Sequence, residues 1–514
     1  MAAAPGTEMK RTLTMTGLTI NAMALIAPGA FLWTTFQAQV VQQNGGATTA
    51  FDMVPGLLFV LILAFLTAFS YAELSNIYPE AGAGSSYYFA EAAFLQKEEA
   101  AHYKFARLAK FVVGWVSHLY YWIYPGIMVA FTATLLVFIL AQFGIVLNSP
   151  LEIGAAVLFS GLVGLIAYRG ISGSTMTAIV INAIQLTALV GFAILAIAFR
   201  LTHPDLQYAH SSLGSVVLPH NLTNVIFQGT IAILLLVGFE SVTALGGEAI
   251  NPKRDVRRAV LLSLAIQGAV AYLLEYVAAN FVVNSSITAT TSAGATVNGY
   301  GAAAASGAPI GDMVRMIGDT MLGGTGFALV ILLAATVLVA LIGTTLACLN
   351  TGVRITYVMG RDKEVPGILG MLHFRHATPH YGVVALAIVS AVLGGYAVLS
   401  ADNLLQITLA SNTGTFLVYG MTNALVLFAF GGVHKRNLIK HVVIPIAGLL
   451  ANIAMLVGVI FMSVSSGGST QTDTLIALAI VGVWIVVGAV WLLFNSASTK
   501  TSLLVKPQNL SPER

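Results

Sequence analysis

The chain has 514 residues, 57% of them hydrophobic and only 8% charged, whereas a soluble globular domain carries about 25% charged residues. Its 23 basic and 20 acidic side chains are too few to solvate a soluble protein of this length, and a mean hydropathy of +0.87 excludes an intrinsically disordered chain. The net charge of +3 gives no reason to expect nucleic acid as a partner, and the single cysteine, Cys348, cannot form an internal disulfide. This is the composition of a polytopic membrane protein, with the lipid bilayer as its solvent.

A membrane-crossing helix needs roughly 20 mostly apolar residues. Twelve such stretches follow in chain order: 12–37, 53–76, 109–142, 151–168, 175–199, 222–249, 258–282, 323–350, 381–399, 403–430, 442–464 and 472–494. The first continues into further spans and lacks a small-residue cleavage site, so it is not a removable signal peptide. When the intervening segments are assigned alternately to two sides, 21 of the 23 Lys and Arg residues fall on one side and only Arg200 and Arg315 on the other. The positive-inside rule then makes the basic side cytoplasmic, with both termini there, in a multi-pass protein of the cell membrane. Residues 91–110 read as a cytoplasmic amphipathic helix at the interface. Residues 284–311, rich in Ser, Thr, Ala and Gly, read as a flexible external loop without chemistry.

Two spans are interrupted. Span one contains Ile26-Ala27-Pro28-Gly29-Ala30, where proline removes a backbone donor and glycine adds conformational freedom. Span six contains Val237-Gly238-Phe239-Glu240-Ser241, a glycine beside a carboxylate in an apolar run. Spans one and six are each first in a set of five, so matching breaks there suit an inverted repeat and a transporter site. Opened helices suit a zwitterion. Amides around Gly29 and Ala30 sit at a positive helix end for a carboxylate, and carbonyls around Ile26 and Val237 can hold an ammonium. Unpaired backbone at this depth is tolerated only where it lines a cavity.

Further residues sharpen this reading. Tyr71-Ala72-Glu73-Leu74 is followed by Tyr78-Pro79-Glu80-Ala81-Gly82 at the end of span two. Gly114-Trp115, Arg169-Gly170 and Gly238-Phe239-Glu240 come next. Glu248 with Asn251-Pro252, Arg361-Asp362 with Pro366, and Thr378-Pro379 complete the series. This order resembles the amino acid–polyamine–organocation (APC) superfamily, in its amino acid transporter branch, from about residue 12 to 430. The resemblance implies an all-α, leucine-transporter-type fold with discontinuous helices one and six. It divides the chain into a tail (1–11), a core of two inverted five-helix repeats (about 12–199 and 222–430), two added helices (431–495) and a second tail (496–514). It also implies alternating access, with an amino acid or related amine bound between spans one and six. Ala27, Pro28 and Gly29 stand where the family has Gly-x-Gly, so the first glycine is replaced and proline takes the centre. A carboxylate at Glu240's position resembles one that antiporters of the family use in proton-sensitive exchange. Members that grip a guanidinium use tryptophans in spans six and eight. Here no tryptophan lies between residues 222 and 350, so that mode is not expected.

Some members carry a titrating lysine in span five, where this chain has Gln185. Coupling then falls on other groups. Glu240 and Glu275 are the only acids deep within the expected spans. An acid in a membrane span is a functional candidate by default, although each has a plainer use: Glu240 as a fixed partner of a substrate amine, Glu275 as a hydrogen-bond partner of a neighbouring helix. Protons are the expected coupling ion. Thr344 and Thr345 in span eight, with carbonyls near Ala22, offer oxygens for sodium, although vicinal threonines more often bond backward to their own helix.

His118 reads as an interhelical histidine, and at most two of Tyr120, Tyr121, Trp122 and Tyr124 can face one site. Glu73, Glu248, Arg354, Arg361 and Asp362, at cytoplasmic helix ends, read as gate or loop-fixing ion pairs. His373, His376 and His380 read as a solvated loop rather than a metal site, and no cofactor is implied. A membrane-embedded enzyme would need a metal box, nucleophile elbow or phosphate loop, and none is present. A sensor on the same scaffold would carry a longer signalling tail. Nothing in the sequence sets an oligomeric state.

Overall fold

The computed structural model describes residues 11–26, 28–79, 84–95, 104–170, 175–290, 294–431 and 437–504. Glu80, Ala81 and Gly82 of the span-two motif, Ala27, and most of both expected tails lie outside them. Eleven helical segments among the described residues are long and apolar enough to cross a membrane. The remaining expected span, the first, is two helices, Met15–Ile26 and Pro28–Val41. At 12 and 14 residues, each is too short to cross alone. Proline explains the division: placed at the first position of the second helix, it lacks only an N–H that would have had no helical partner.

Spans two to five are Met53–Ile77, Ala106–Gln142, Ser149–Tyr168 and Thr175–Thr202. Span seven is Pro252–Val277, prolonged by a π-helical turn, Ala278–Val282, and spans eight to twelve are Gly326–Arg361, His380–Ala397, Ala401–Phe430, Ile444–Ser465 and Gly468–Thr499. Span six is the second broken one. An α-helix, Leu222–Ala232, tightens into 3-10 geometry at Ile233–Leu235, and a separate 3-10 helix runs over Phe239–Glu248. Between them Gly238 takes φ 127°, in the left-handed region that residues with a Cβ avoid. The leading half of span one packs against Phe239–Glu248 and the trailing half against Ile233–Leu235. The two breaks therefore lie side by side.

Position in the bundle follows side-chain character. Span six is almost wholly buried, whereas span twelve exposes most of its surface. The exposed residues of the outer helices are apolar, among them Ile194, Val392, Val457 and Val483, as lipid contact requires.

Two expectations about connections are corrected. Residues 91–110 do not form one interfacial helix: 91–95 end the helix Ser86–Leu95, Ala106–Lys110 begin span three, and Glu91, Arg107 and Lys110 are buried. Each of those charges has a partner inside the bundle, which an isolated amphipathic helix lacks. Nor is 284–311 a structureless loop. Its described residues form an antiparallel hairpin pairing Thr288 with Asn298, the helix Gly299–Ala305 and the start of Pro309–Met321. Both helices pack on the trailing half of span one, where Gln37 Nε2 donates to Ser306 O at 3.0 Å. Small-residue composition hid the buried Tyr300, Ile310 and Met313, which hold this cap down.

Gly238→Ala places a Cβ on left-handed backbone. The expected cost is about 1–3 kcal/mol, read as a lowered melting temperature in detergent; an unchanged melting temperature contradicts strain at the break.

Candidate functional site

Glu240 is the second residue of the 3-10 helix, two after the left-handed Gly238, and is 2% exposed. Its carboxylate accepts four hydrogen bonds. Tyr120 Oη donates to Oε1 at 2.9 Å and Tyr121 Oη to the same oxygen at 3.3 Å. Tyr419 Oη donates to Oε2 at 2.9 Å, and the backbone amide of Gly238 to Oε2 at 3.0 Å. Every donor is fixed by the fold: two tyrosines from span three, one from span ten, and an amide that a continuous helix would have paired internally. Such bonds shorten and strengthen when the acceptor is ionised, so this donor set suits a carboxylate.

The surrounding shell is aromatic and fully buried. The Phe239 ring lies 5.4 Å from that of Tyr419 and 6.1 Å from that of Tyr71, between centroids. Ser86 Oγ donates to Tyr71 Oη at 2.8 Å. The break's own polar groups are partly engaged: Ser241 Oγ donates to Gly238 O at 2.6 Å and Thr243 Oγ1 to Glu240 O at 2.6 Å. Asn412 Nδ2 of span ten donates to Thr230 O at 2.8 Å, meeting a carbonyl near the end of the first half of span six.

The sequence-derived candidates divide as follows. Val237, Gly238, Phe239, Glu240 and Ser241 are together at the break, all buried. Ile26, Pro28, Gly29 and Ala30 flank the break of span one along the backbone, while Ala27 and the side chains of 24–32 lie outside the described residues. Gln185 is buried one turn from Asn182, whose Oδ1 accepts from Gln267 Nε2 of span seven at 3.4 Å. Thr344 Oγ1 donates to Ala340 O at 3.0 Å and Thr345 Oγ1 to Leu341 O at 2.6 Å, so both hydroxyl protons are spent on span eight itself. Glu275 is fully buried but distinct from the Glu240 cage; its Oε1 accepts from Gln39 Nε2 at 3.1 Å. His118 joins span three to span eight, with Nδ1 2.9 Å from Gly114 O and Nε2 2.9 Å from Thr356 Oγ1. Of the aromatic group, two residues, Tyr120 and Tyr121, reach Glu240. Tyr419 was missed, although span ten carries Ser411, Asn412, Thr413, Thr415, Thr422 and Asn423 around it, an unusual polar density for a membrane helix.

At the basic end, charge pairs tie helix ends together. Arg257 Nη2 meets Glu73 Oε1 at 2.9 Å, and His441 Nε2 lies 3.4 Å from Oε2 of the same residue. Arg354 pairs with Glu248 at 3.0 Å, and the backbone amides of Thr12 and Leu13 both donate to Glu248 O at 2.9 Å. Arg361 Nη2 reaches Tyr88 Oη at 3.3 Å. Lys110, overlooked in the sequence, sits between Glu91 at 2.9 Å and Asp362 at 3.1 Å with all three side chains almost fully buried. Arg107 grips Glu364 through two bonds, at 2.9 and 3.2 Å. The histidines at 373, 376 and 380 gather around the Tyr168 ring; no group of three metal-capable side chains forms among the described residues.

The model of the amino acid permease family matches residues 18–504. Similar proteins include the branched-chain amino acid permease BcaP of Lactococcus lactis subsp. cremoris, 27% identical over 383 residues, 70% of this chain and 71% of the relative. The methylthioribose transporter of Bacillus subtilis is 23% identical over 398 residues, 76% of either chain. The low-affinity putrescine importer PlaP of Escherichia coli is 22% identical over 455 residues, 86% of this chain and 87% of the relative.

Burial separates the ion pairs in strength. Lys110→Met removes the cation that two buried carboxylates share and is expected to cost about 3–5 kcal/mol. Arg354→Met, at a pair whose arginine is 33% exposed, is expected to cost at most about 1 kcal/mol. Melting temperatures of the two variants in detergent check the order, and equal losses contradict it.

Proposed function

The chain belongs to the amino acid permease family and is a secondary transporter of amino acids or amines; we propose that Glu240, in its cage of four donors, holds the ammonium of the substrate. The carboxylate sits where both broken spans meet, and its four donors fill the roughly four lone-pair sites that a carboxylate offers. An arriving ammonium displaces one or two tyrosine hydroxyls and takes a charge-assisted bond in their place. The exchange of donor for donor keeps the desolvation cost of binding low. In this reading a substrate carboxylate, when there is one, meets the first amides of Pro28–Val41, at the positive end of that helix.

Transport proceeds across the cytoplasmic membrane by alternating access, with the basic end and both termini cytoplasmic, as symport with protons or as exchange. Residues 12–199 and 222–430 are the two inverted repeats, and the last two spans flank them. The buried Lys110 and Arg107 pairs and the Glu248–Arg354 pair at the basic end are the contacts that must part for the site to open on that side. Relatives named for branched-chain amino acids and for putrescine support a site that takes an amine and tolerates the absence of a carboxylate; the relative named for methylthioribose, which has no amine, does not bear on that reading.

The test is uptake of labelled leucine, arginine, putrescine and ethanolamine into proteoliposomes, with and without pH and sodium gradients. At least one is moved by the wild-type protein. For that substrate, Glu240→Gln raises KM roughly 10- to 100-fold, the loss of a hydrogen bond between charged groups. The reading fails if none of the four is bound or moved, or if Glu240→Gln leaves KM unchanged.

A further inference from the structure

We propose that Glu275 is a proton-binding site, occupied by a proton in this conformation and coupled to the position of the trailing half of span one. The proposal goes beyond the substrate-anchoring reading of Glu240 and rests on a different carboxyl group.

Glu275 has 0% exposed surface. Its Oε1 accepts one hydrogen bond, from Gln39 Nε2 at 3.1 Å, and its Oε2 has no partner among the described residues. Gln39 Oε1 is likewise buried without a donor. The pair therefore holds two orphan acceptors and lacks one hydrogen. A proton on Glu275 Oε2 supplies it: the carboxylic O–H is the one donor that the two orphan acceptors can share, and the Gln39 Nε2 bond to Oε1 is kept. A bare carboxylate in the same place would be left with a single bond from a neutral amide, at a cost of several kcal/mol. The contrast with Glu240, which has four donors, separates the two roles.

Among the described residues no cation balances Glu275. Neither half of span one carries an ionisable residue, nor does the turn Ala278–Val282. Span two contributes Tyr71 and Glu73 toward the basic end, and Asp52 just before its first residue is held by His220. Span five contributes Arg200, which is committed to Asn280 O and Oδ1 and to His210 O. The second half of span six, also packed on span seven, carries Glu240 and Glu248, both already engaged. Span seven itself brings Tyr272 and Tyr276 beside Glu275 and, toward its start, Lys253, Arg254, Asp255, Arg257 and Arg258 at the basic end. From the cap, Tyr300 faces it, a phenol whose hydroxyl burial pushes above its ordinary value. Tyr300 Oη lies 3.0 Å from His210 Nε2, and His210 Nδ1 lies 3.0 Å from Ser215 O. Burial pulls His210 down to about 4, so it is neutral near pH 7 and adds no charge.

The coupling follows from where Gln39 sits. It belongs to Pro28–Val41, the segment that must shift if the site opens on the side away from the basic end. Withdrawal of Gln39 removes the one hydrogen bond Glu275 has among the described residues, admits water and favours release of the proton; return of Gln39 requires a proton to be rebound.

Infrared difference spectroscopy of the intact protein in lipid reads this without any substrate. The carbonyl-stretch band of a protonated carboxylic acid at neutral pH is expected in the wild-type protein and in Glu240→Gln, and is lost in Glu275→Gln. Gln39→Leu, which leaves Glu275 in place, is expected to shift that band to higher frequency. In proteoliposomes carrying a pH-sensitive dye, with whichever of leucine, arginine, putrescine or ethanolamine is transported, the wild-type apparent affinity changes by up to about tenfold per pH unit, the limit for one linked proton. Glu275→Gln flattens that dependence while Glu240→Gln retains it. A protonated-acid band of undiminished intensity in Glu275→Gln overturns the proposal, as does a pH slope unchanged in that variant. Either outcome leaves the role of Glu240 to its own uptake test.

Discussion

A negative charge buried in a low-dielectric bundle must be met by hydrogen-bond donors, by a cation or by a proton, because each alternative to these costs several kcal/mol. With so few charges in the chain, the principal buried carboxyls can be followed to their solutions. Glu240 is met by donors, three phenols and an amide. Glu91 and Asp362 share the ammonium of Lys110, and Glu364 takes a two-pronged arginine. Glu275 has one neutral amide donor and, among the described residues, no cation, and a proton answers for it. The mode of neutralisation matches location: cations at the basic end, where helix ends meet, and donors or a proton in the interior, where the chain supplies no cation.

The broken helices follow from the same constraint. An unbroken span six would bury the Gly238 amide in its own helix and could not aim it at Glu240. The left-handed turn at Gly238 releases that amide and sets the start of the 3-10 helix so that Glu240 points between spans three and ten. Span one is divided alongside, which puts one half against each part of span six and makes the two halves separately movable. The ion pairs bind the leading half, through Glu248, to the basic end. The cap of residues 294–321 binds the trailing half at the other. The site is thus enclosed by two sets of contacts of different chemistry, polar and charged below, mostly apolar and small above.

Hydropathy made the spans legible, because apolar length is a property of each segment alone. The breaks were legible for a similar reason: proline and glycine act locally. Glu240 and Glu275 stood out as carboxyls in apolar runs. Asp473, near the start of span twelve and buried against Gln406, did not, because its position next to a helix end disguised its depth. What escaped notice depends on pairs distant in sequence. Tyr419 joins Glu240 across 179 residues and Lys110 joins Asp362 across 252. Gln39 reaches Glu275 across 236 residues, and no local pattern announces a glutamine as the partner of an acid. The cap failed for another reason: low-complexity composition says little when three large buried side chains are enough to anchor the segment.

The most direct measurement is a cryo-electron microscopy structure in lipid with the best-transported of the four test substrates bound. The substrate ammonium is expected within about 3 Å of a Glu240 carboxylate oxygen, with one or two of Tyr120, Tyr121 and Tyr419 turned away from it. A substrate bound elsewhere, with all four donors still on Glu240, contradicts it.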